Sequence, residues 1–240
     1  MYAISLTSIP PRFDRLGPVL QALSAQRPAP VAVYLCLPRS YRRFSGVVHP
    51  PALPAGVNLL WSEHDLGPAG KALIASRYLA GKVDRLIYCD DDWAYGPGWA
   101  AALLQSAGDG VASTGQGYSV RRLKRQTRAA PGFTDIAQGF SGVCVDPAWL
   151  AAPDMTPPDA AWPVDDIWLS GQLARQGIAL CEVARARAAM RPAFDDAHAL
   201  QVAKVGGKDR HAANLACAEA LTRRYGIWPE ASSKARAARP

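Results

Sequence analysis

Short apolar segments recur along the first half of the chain in a pattern that predicts buried strands. Residues 2–8 (YAISLTS) alternate and predict a first strand, which the two prolines that follow bring to an end. Residues 31–38 (VAVYLCLP) form a continuous apolar run, as expected for a parallel strand covered on both faces. Residues 57–61 (VNLLW) and 85–89 (RLIYC) predict two further strands.

Between these strands the apolar residues recur at helical spacing. This spacing predicts a helix from Phe13 to Ala25, a second over 67–81 that ends at a glycine, and a third from Pro97 to about Ala107. Strands and helices therefore alternate with short connections. The pattern predicts a single α/β domain with a Rossmann-like, mostly parallel central sheet flanked by helices.

The second half of the chain continues this pattern less regularly. Residues 110–114 (GVAST) and 139–146 (GFSGVCVD) predict strands. Residues 165–177 predict a helix closed by a glycine, which leads into the strand IALCEV. Beyond Arg185 only residues 208–225 predict a helix.

The charge of the chain favours anionic partners. Its 240 residues carry a formal net charge of +7, with a pI near 9.3. Such a balance favours phosphates, nucleotides or an anionic membrane surface, but by itself it does not indicate a nucleic-acid-binding protein. A basic run is interpreted as a solvated loop, although it could also order over a diphosphate or face an anionic acceptor; it comprises Arg121, Arg122, Lys124, Arg125 and Arg128.

The chain has no apolar run of membrane-spanning length, and its first residues do not resemble a signal peptide. We therefore expect a cytoplasmic protein with, at most, peripheral contact with a membrane. The five cysteines are scattered without a CxxC pair, which predicts buried free thiols in a reducing compartment rather than a zinc site.

Three consecutive aspartates, Asp90, Asp91 and Asp92, directly follow the strand predicted at 85–89. Three like charges repel each other unless a positive group lies nearby. The carboxyl edge of an open α/β sheet is where ligands bind, and two carboxylates spaced i, i+2 can approach one Mg²⁺ or Mn²⁺ ion. A solvated acidic turn is the alternative interpretation.

A second acidic pair, Asp165 and Asp166, opens the helix predicted at 165–177. A carboxylate here can act as a general base, although the helix dipole favours acidic residues at this position without any catalytic role. His198 and His211 are late histidines, either of which could complete a metal shell or be purely structural.

Five segments in this order resemble bacterial glycosyltransferases of the GT-A type, and the three aspartates resemble the DxD motif of that superfamily. The segments lie between residues 4 and 177 and read ISLTSIPPRF, DLGPAGK, LIYCDDDWAYGPGW, GFSGVCV and VDDIWLSGQLARQG. The resemblance implies a GT-A-like catalytic domain at 1–184, with a nucleotide-sugar-binding half at 1–107 and an acceptor and catalytic half at 108–184. A C-terminal helical appendage of the same domain would follow at 185–230, and a flexible tail at 231–240.

The resemblance also implies roles for individual residues. Asp92 would bind Mn²⁺ or Mg²⁺, together with Asp90 and His198, and Asp166 rather than Asp165 would be the catalytic base. Lys71 would neutralise a phosphate or pair with an aspartate. The donor would be a nucleotide sugar, such as a UDP- or GDP-sugar, and the acceptor a saccharide or another hydroxyl compound. The implied donor-binding residues are Thr7, Ser8, Arg12, Asp65, Lys71, Asp90 and Asp91.

Two other functions fit the same pattern. A nucleotidyltransferase would share the sheet and the metal carboxylates, but such enzymes usually carry a glycine-rich signature after the first strand, which TSIPPRF lacks. A non-catalytic sugar- or phosphate-binding module would keep the sheet without turnover. In that case the tryptophans, notably Trp93, Trp99, Trp162 and Trp168, could stack on sugar rings. Trp93 and Trp162 flank the two acidic segments, so they fit an active site as well.

Overall fold

An eight-stranded sheet runs through the middle of the molecule. The structure is a computed structural model that describes residues 1–194 and 209–231. Six strands run in one direction, while β10 and β8 run in the other, which confirms a mostly parallel sheet. In spatial order the strands are β3 (Val57–Ser62), β2 (Val33–Pro38), β1 (Tyr2–Thr7), β4 (Arg85–Cys89), β10 (Val143–Val145), β6 (Val111–Thr114), β11 (Ala179–Glu182) and β8 (Phe133–Thr134).

Two small antiparallel ribbons and a set of helices complete the described fold. The ribbons pair β5 (Trp93–Tyr95) with β12 (Met190–Pro192), and β7 (Gly117–Tyr118) with β9 (Ile136–Ala137). The α-helices are α1 (Gly17–Ser24), α2 (Gly70–Leu79), α3 (Trp99–Ser106), α4 (Asp165–Arg175), α5 (Ala184–Ala188) and α6 (Arg210–Tyr225). Short 3₁₀ turns lie at Pro10–Arg15, Gly67–Ala69, Val120–Leu123, Gly139–Ser141 and Pro147–Leu150.

Both faces of the sheet are covered, so that the domain has three layers. Side chains of α2, α4 and α6 form one buried cluster against the sheet, and those of α1, α3 and α5 form the other. The strands contribute to the two clusters alternately: Leu86 and Tyr88 point to the first, Ile87 and Cys89 to the second. Burial on both faces explains why the central strands are nearly continuous apolar runs.

Several predicted elements have different bounds in the structure. The helix predicted from Phe13 is a 3₁₀ turn followed by α1, because Pro18 lacks the N–H that a continuous α-helix would need there. The helix predicted from Pro97 begins at Trp99, since Gly98 has a φ of +83° and lies outside the helical region. The strand predicted at 139–146 is reduced to β10 because a 3₁₀ turn occupies its first half.

The basic run was interpreted from the sequence as a solvated loop, but the structure shows that part of this segment is buried. Leu123 and Arg125 are buried, and the end of the described chain pairs with this segment. Gln126 N donates to the carbonyl of Pro229 at 2.8 Å, and Ala231 N donates to the carbonyl of Lys124 at 3.0 Å. The last described residues therefore fix the position of the basic run.

All five cysteines are free, and four of them are buried, as predicted. Among residues 1–194 and 209–231, no helix has both the length and the apolar character needed to cross a membrane.

Candidate functional site

One cleft at the carboxyl edge of the sheet, here called the main cleft, contains almost all of the predicted site residues. Ten of the eleven line it, and the eleventh, His198, lies outside the described residues. His211 is exposed on α6 and is absent from the described lining of this cleft. The ten are Thr7, Ser8, Arg12, Asp65, Lys71, Asp90, Asp91, Asp92, Asp165 and Asp166.

The strand register explains why the first and fourth strands deliver their polar residues to one place. Strands β1 and β4 are parallel neighbours, and Leu6 lies opposite Cys89. The residues that follow each strand therefore leave the sheet side by side. This brings Thr7 and Ser8 to the start of the aspartate triplet.

Asp91 is held by protein groups from the segment after β1. The Ser8 hydroxyl and the Arg12 guanidinium both donate to its carboxylate, and Arg12 also lies 3.2 Å from Asp92 Oδ2. Asp91 is buried, and burial raises the pKa of its carboxyl while Arg12 and Ser8 lower it. The repulsion within the triplet is thus relieved in part by a cation of the chain itself.

Lys71, in the first turn of α2, joins the two acidic segments. Its ammonium Nζ lies 2.5 Å from Asp90 Oδ1 and 2.7 Å from Asp165 Oδ2, and its side chain is only 2 % exposed. Burial lowers the pKa of Lys71, but Asp165 and Asp90 outweigh that effect and keep the pKa well above its usual value. Lys71 is therefore a buried cation that pairs with an aspartate on each side, one of the two roles predicted for it.

Asp166 has a different environment from Asp165. Its Oδ1 accepts a hydrogen bond from Gly139 N at 2.8 Å. Burial and then the charge of Asp165 raise the pKa of Asp166 to about 7, although Lys71 opposes the rise. A Cβ at Gly139 would lie 2.6 Å from the Lys71 ammonium, so the 3₁₀ turn can approach this closely only with glycine.

Asp65 organises the loop before α2. It accepts hydrogen bonds from Gly67 N at 2.8 Å and from Arg42 N at 2.7 Å, and its carbonyl accepts one from Trp162 Nε1 at 3.1 Å. Gly67 has a φ of +61°, and a Cβ there would lie 2.8 Å from the Trp162 ring. The turn therefore needs glycine for both its backbone conformation and its packing.

Thr7 and the aromatic residues complete the walls of the cleft. Thr7 Oγ1 donates to the carbonyl of Cys36 at 2.7 Å, and Tyr41 donates to the carbonyl of Ser8 at 2.8 Å. The rings of Trp93 and Phe140 lie 4.7 Å apart between centroids. The cleft is thus lined by both polar and aromatic side chains.

Sequence reasoning did not identify several residues that line the cleft. Tyr41 and Phe44 lie in the segment 39–56 that was interpreted only as a loop, where two aromatic residues around two arginines (YRRF) were the available signal. Gln138, Phe140 and Arg210 come from the middle and the end of the chain. Phe140 belongs to GFSGVCV, one of the five segments of the resemblance, whereas nothing in the local sequence of Gln138 or Arg210 indicated that they would meet the triplet.

The residues present fit a divalent metal ion. Asp92 Oδ1 is buried and accepts no hydrogen bond from the part of the chain that the structure describes. Burial, Asp90 and Asp91 raise the pKa of Asp92 to about 7, a cost that a bound cation would relieve. The described residues contain no group of three or more His, Cys, Asp or Glu placed to hold a metal. Two carboxylates suit Mg²⁺ or Mn²⁺, which usually keep water and phosphate ligands.

Comparisons with known proteins give a likeness to solved structures. No protein-family model matches the chain, and no curated protein matches it significantly. The galactosyltransferase LgtC in complex with donor and acceptor sugar analogues is 10 % identical, with 99 % of each chain covered and a TM-score of 0.45. An active-site mutant of LgtC is 10 % identical, with 98 % of this chain and 99 % of that chain covered and a TM-score of 0.48. The functional inference therefore depends on the residues of the main cleft.

Proposed function

We propose that the protein is a metal-dependent glycosyltransferase, which transfers a sugar from a nucleoside-diphosphate sugar to a hydroxyl acceptor. The observation that supports this most strongly is the position of Lys71. It pairs with Asp90 of the triplet and with Asp165 of the second acidic pair, and so joins in one cleft two segments that lie far apart in the sequence. A metal-binding carboxylate and a candidate base thus face the same space, as sugar transfer requires.

The donor would occupy the side of the cleft built by residues 1–107. Asp65 and the rings of Tyr41 and Phe44 line this side, and aromatic faces suit the stacking of a nucleobase. Arg12 lies beside the triplet, where the diphosphate would sit. A UDP- or GDP-sugar is the donor that we propose, with residues 108–184 supplying the acceptor side.

Asp92 would hold Mn²⁺ or Mg²⁺ with help from Asp90, since Asp92 has an unsatisfied buried oxygen and Asp90 is 34 % exposed at its side chain. When bound, such an ion neutralises charge on a diphosphate. Lys71 would keep Asp90 in place, and Arg12 would keep Asp91 and Asp92 in place. The protein's own contribution is to fix these carboxylates before substrate arrives.

Asp166 is the base that we propose. Asp165 is occupied by its ion pair with Lys71, whereas a pKa of about 7 lets Asp166 both take up and release a proton near neutral pH. The proton of the acceptor hydroxyl passes to the Asp166 carboxylate as the acceptor oxygen bonds to the anomeric carbon. The bond from that carbon to the phosphate oxygen breaks, and its electron pair leaves with the nucleoside diphosphate.

Calorimetric titration with UDP, GDP, CDP and dTDP, each with Mn²⁺ and with EDTA, tests the proposal. We expect one nucleotide to bind only with metal, and to bind at least about tenfold more weakly to Asp92→Asn. Asp109→Asn is the matched control, because the Asp109 side chain is fully exposed and lies 4.0 Å from Arg85 rather than in the cleft.

The other outcomes identify the alternatives. Nucleotide binding that neither EDTA nor Asp92→Asn changes, or no binding at all, would contradict the proposal. Release of pyrophosphate from a nucleoside triphosphate and a sugar phosphate would indicate a nucleotidyltransferase. Tight binding of a sugar nucleotide with neither transfer nor hydrolysis would indicate a binding module.

A further inference from the structure

A second cavity adjoins the main cleft on the side of the candidate base. Tyr118, Arg122, His211 and Asn214 are among the residues that line it. Three residues, Gln138, Asp166 and Arg210, line both spaces. The two spaces therefore meet at Asp166, so that this carboxylate can face a donor on one side and a second molecule on the other.

The second cavity contains two arginines that no carboxylate neutralises within ion-pair distance. Among residues 1–194 and 209–231, Arg122 and Arg210 make no ion pair. Arg122 lies over the ring of Tyr118 at 5.4 Å, and Arg210 donates to the carbonyl of Pro163 at 2.5 Å. A guanidinium has five N–H donors, so each arginine keeps donors for a ligand.

Arg122, Arg210 and Asp166 all act on one side chain, that of Tyr118. Burial and then Asp166 raise the pKa of Tyr118, whereas Arg210 and Arg122 oppose the rise. Both arginines and the carboxylate therefore lie close enough to act on the same hydroxyl. The arginines come from separate elements, the 3₁₀ turn Val120–Leu123 and the first residue of α6.

We infer that the second cavity binds the acceptor, and that the acceptor is an anionic saccharide whose carboxylate or phosphate group is held by Arg122 and Arg210. This inference rests on the proposed function and specifies its substrate class. The reacting hydroxyl lies at Asp166, where its proton is transferred, and the anionic group lies in the second cavity beside Arg122 and Arg210. Arginine suits both anions because its planar N–H groups match two oxygens at once.

The charges of the two spaces explain why the anion belongs in the second one. The main cleft is lined by six aspartates and four basic residues, of which Arg12 and Lys71 are paired with carboxylates. The second cavity has Asp166 as the one carboxylate of its described lining, against two arginines. An anionic group of the acceptor is therefore attracted to the second cavity, whereas the space beside the triplet would hold the diphosphate of the donor.

The first test measures binding directly. Glucose 6-phosphate, glucuronic acid, glucose and inorganic phosphate are titrated into the protein by calorimetry, with and without the nucleotide that binds the main cleft. We expect at least one of the two anionic sugars to bind about tenfold or more tightly than glucose, the usual size of one charge-assisted hydrogen bond. The two sugars distinguish a phosphate from a carboxylate acceptor.

Three results would overturn the inference. They are equal binding of glucose and both anionic sugars, no binding of either anionic sugar, and binding of inorganic phosphate as tight as that of the sugars. The last result would mean that the cavity binds an anion without recognising a saccharide.

A variant pair locates the binding. Arg122→Ala should weaken the anionic sugar about tenfold and leave glucose unchanged, with the nucleotide affinity of the same sample within twofold. Arg121→Ala is the control, because Arg121 is the exposed neighbour and is not part of the described lining of the cavity. Equal effects of the two variants would place the anion elsewhere. Failure of nucleotide binding in the wild type would instead contradict the glycosyltransferase itself, whatever the sugars do.

Discussion

The main cleft and the second cavity are neighbours that use positive charge in opposite ways. In the main cleft, Lys71 and Arg12 are largely buried and pair with carboxylates of the chain. In the second cavity, Arg122 is exposed and Arg210 is half-buried, and neither has a carboxylate partner in the described part of the chain. The first arrangement stabilises the site itself. The second leaves the charge available for a ligand.

The largest effect should follow from removal of the buried cation. Lys71→Met leaves Asp165 buried without its partner, which typically costs about 3–5 kcal/mol of unfolding free energy, and it also frees Asp90. Urea unfolding measures the loss. Lys82→Met is the control: this exposed lysine lies over the ring of Tyr78, and its loss should cost at most about 1 kcal/mol. Equal losses in the two variants would show that Lys71 does not hold the main cleft together.

Asp166, one of the three residues that line both spaces, should affect the rate of transfer rather than the fold. Asp166→Asn should lower kcat by about 10²–10⁴-fold, because an amide cannot accept the acceptor's proton. The protein should stay folded, since the amide oxygen can still accept the hydrogen bond from Gly139 N. Steady-state kinetics of sugar transfer, beside a circular dichroism spectrum, measure both effects. A kcat within twofold of the wild type would exclude Asp166 as the base.

The pKa of Asp166 gives a pH dependence with a definite sign. It is raised from the usual 3.8 to about 7, so the deprotonated base accumulates and kcat rises with pH through about 7. The folded protein binds this proton more tightly than the unfolded chain. The contribution of Asp166 to stability is therefore full below pH 4 and is lost as the pH rises toward 7. Unfolding curves at several pH values should show this loss in the wild type and not in Asp166→Asn.

Gly67, which lines the main cleft, and Gly81, which follows α2, distinguish the cost of backbone strain from the cost of packing. Both Gly67 and Gly81 have positive φ, but a Cβ at Gly81 has open space whereas one at Gly67 meets the Trp162 ring. Gly81→Ala should cost about 1 kcal/mol for its backbone conformation alone. Gly67→Ala should cost about 1–3 kcal/mol more because it also forces Trp162 to move. Thermal unfolding compares the two variants, and equal losses of unfolding free energy would mean that Trp162 moves aside without a measurable cost.

The smallest effect should come from the exposed cations. Arg122→Ala should change the unfolding free energy by less than about 0.5 kcal/mol, because in the described structure this arginine only covers the Tyr118 ring. Chemical unfolding alongside Lys71→Met tests the contrast. A loss near that of Lys71→Met would make Arg122 a structural residue, and the two regions would then use charge in the same way.

The sequence predicted those features that depend on short-range pattern. The strand at 85–89 has the predicted bounds because a turn precedes these five residues and an acidic cluster follows them, so that the strand cannot extend in either direction. The ten described site residues met in one cleft because they follow strands or begin helices, and parallel strands end at the same edge of the sheet.

Features that depend on tertiary contact could not be predicted in this way. The turn at Gly139–Ser141 replaced half of a predicted strand because Gly142 has a φ of +83° and packs where a Cβ would lie 2.2 Å from the Trp99 ring. The ribbon of β5 and β12 joins segments that are nearly a hundred residues apart and only three residues long each. Likewise, the pairing of Lys71 with Asp165 required the path of α4 to be known.

The position of β10 has a consequence for biosynthesis. This strand lies between β4 and β6 and is antiparallel to both, yet both of its neighbours precede it in the chain. As the chain leaves the ribosome, the first four strands in sequence can assemble, but one edge of β4 has no partner until residue 145 has emerged. A nascent chain paused before that point would present an apolar strand edge to other chains, and its need for chaperones would be greatest there.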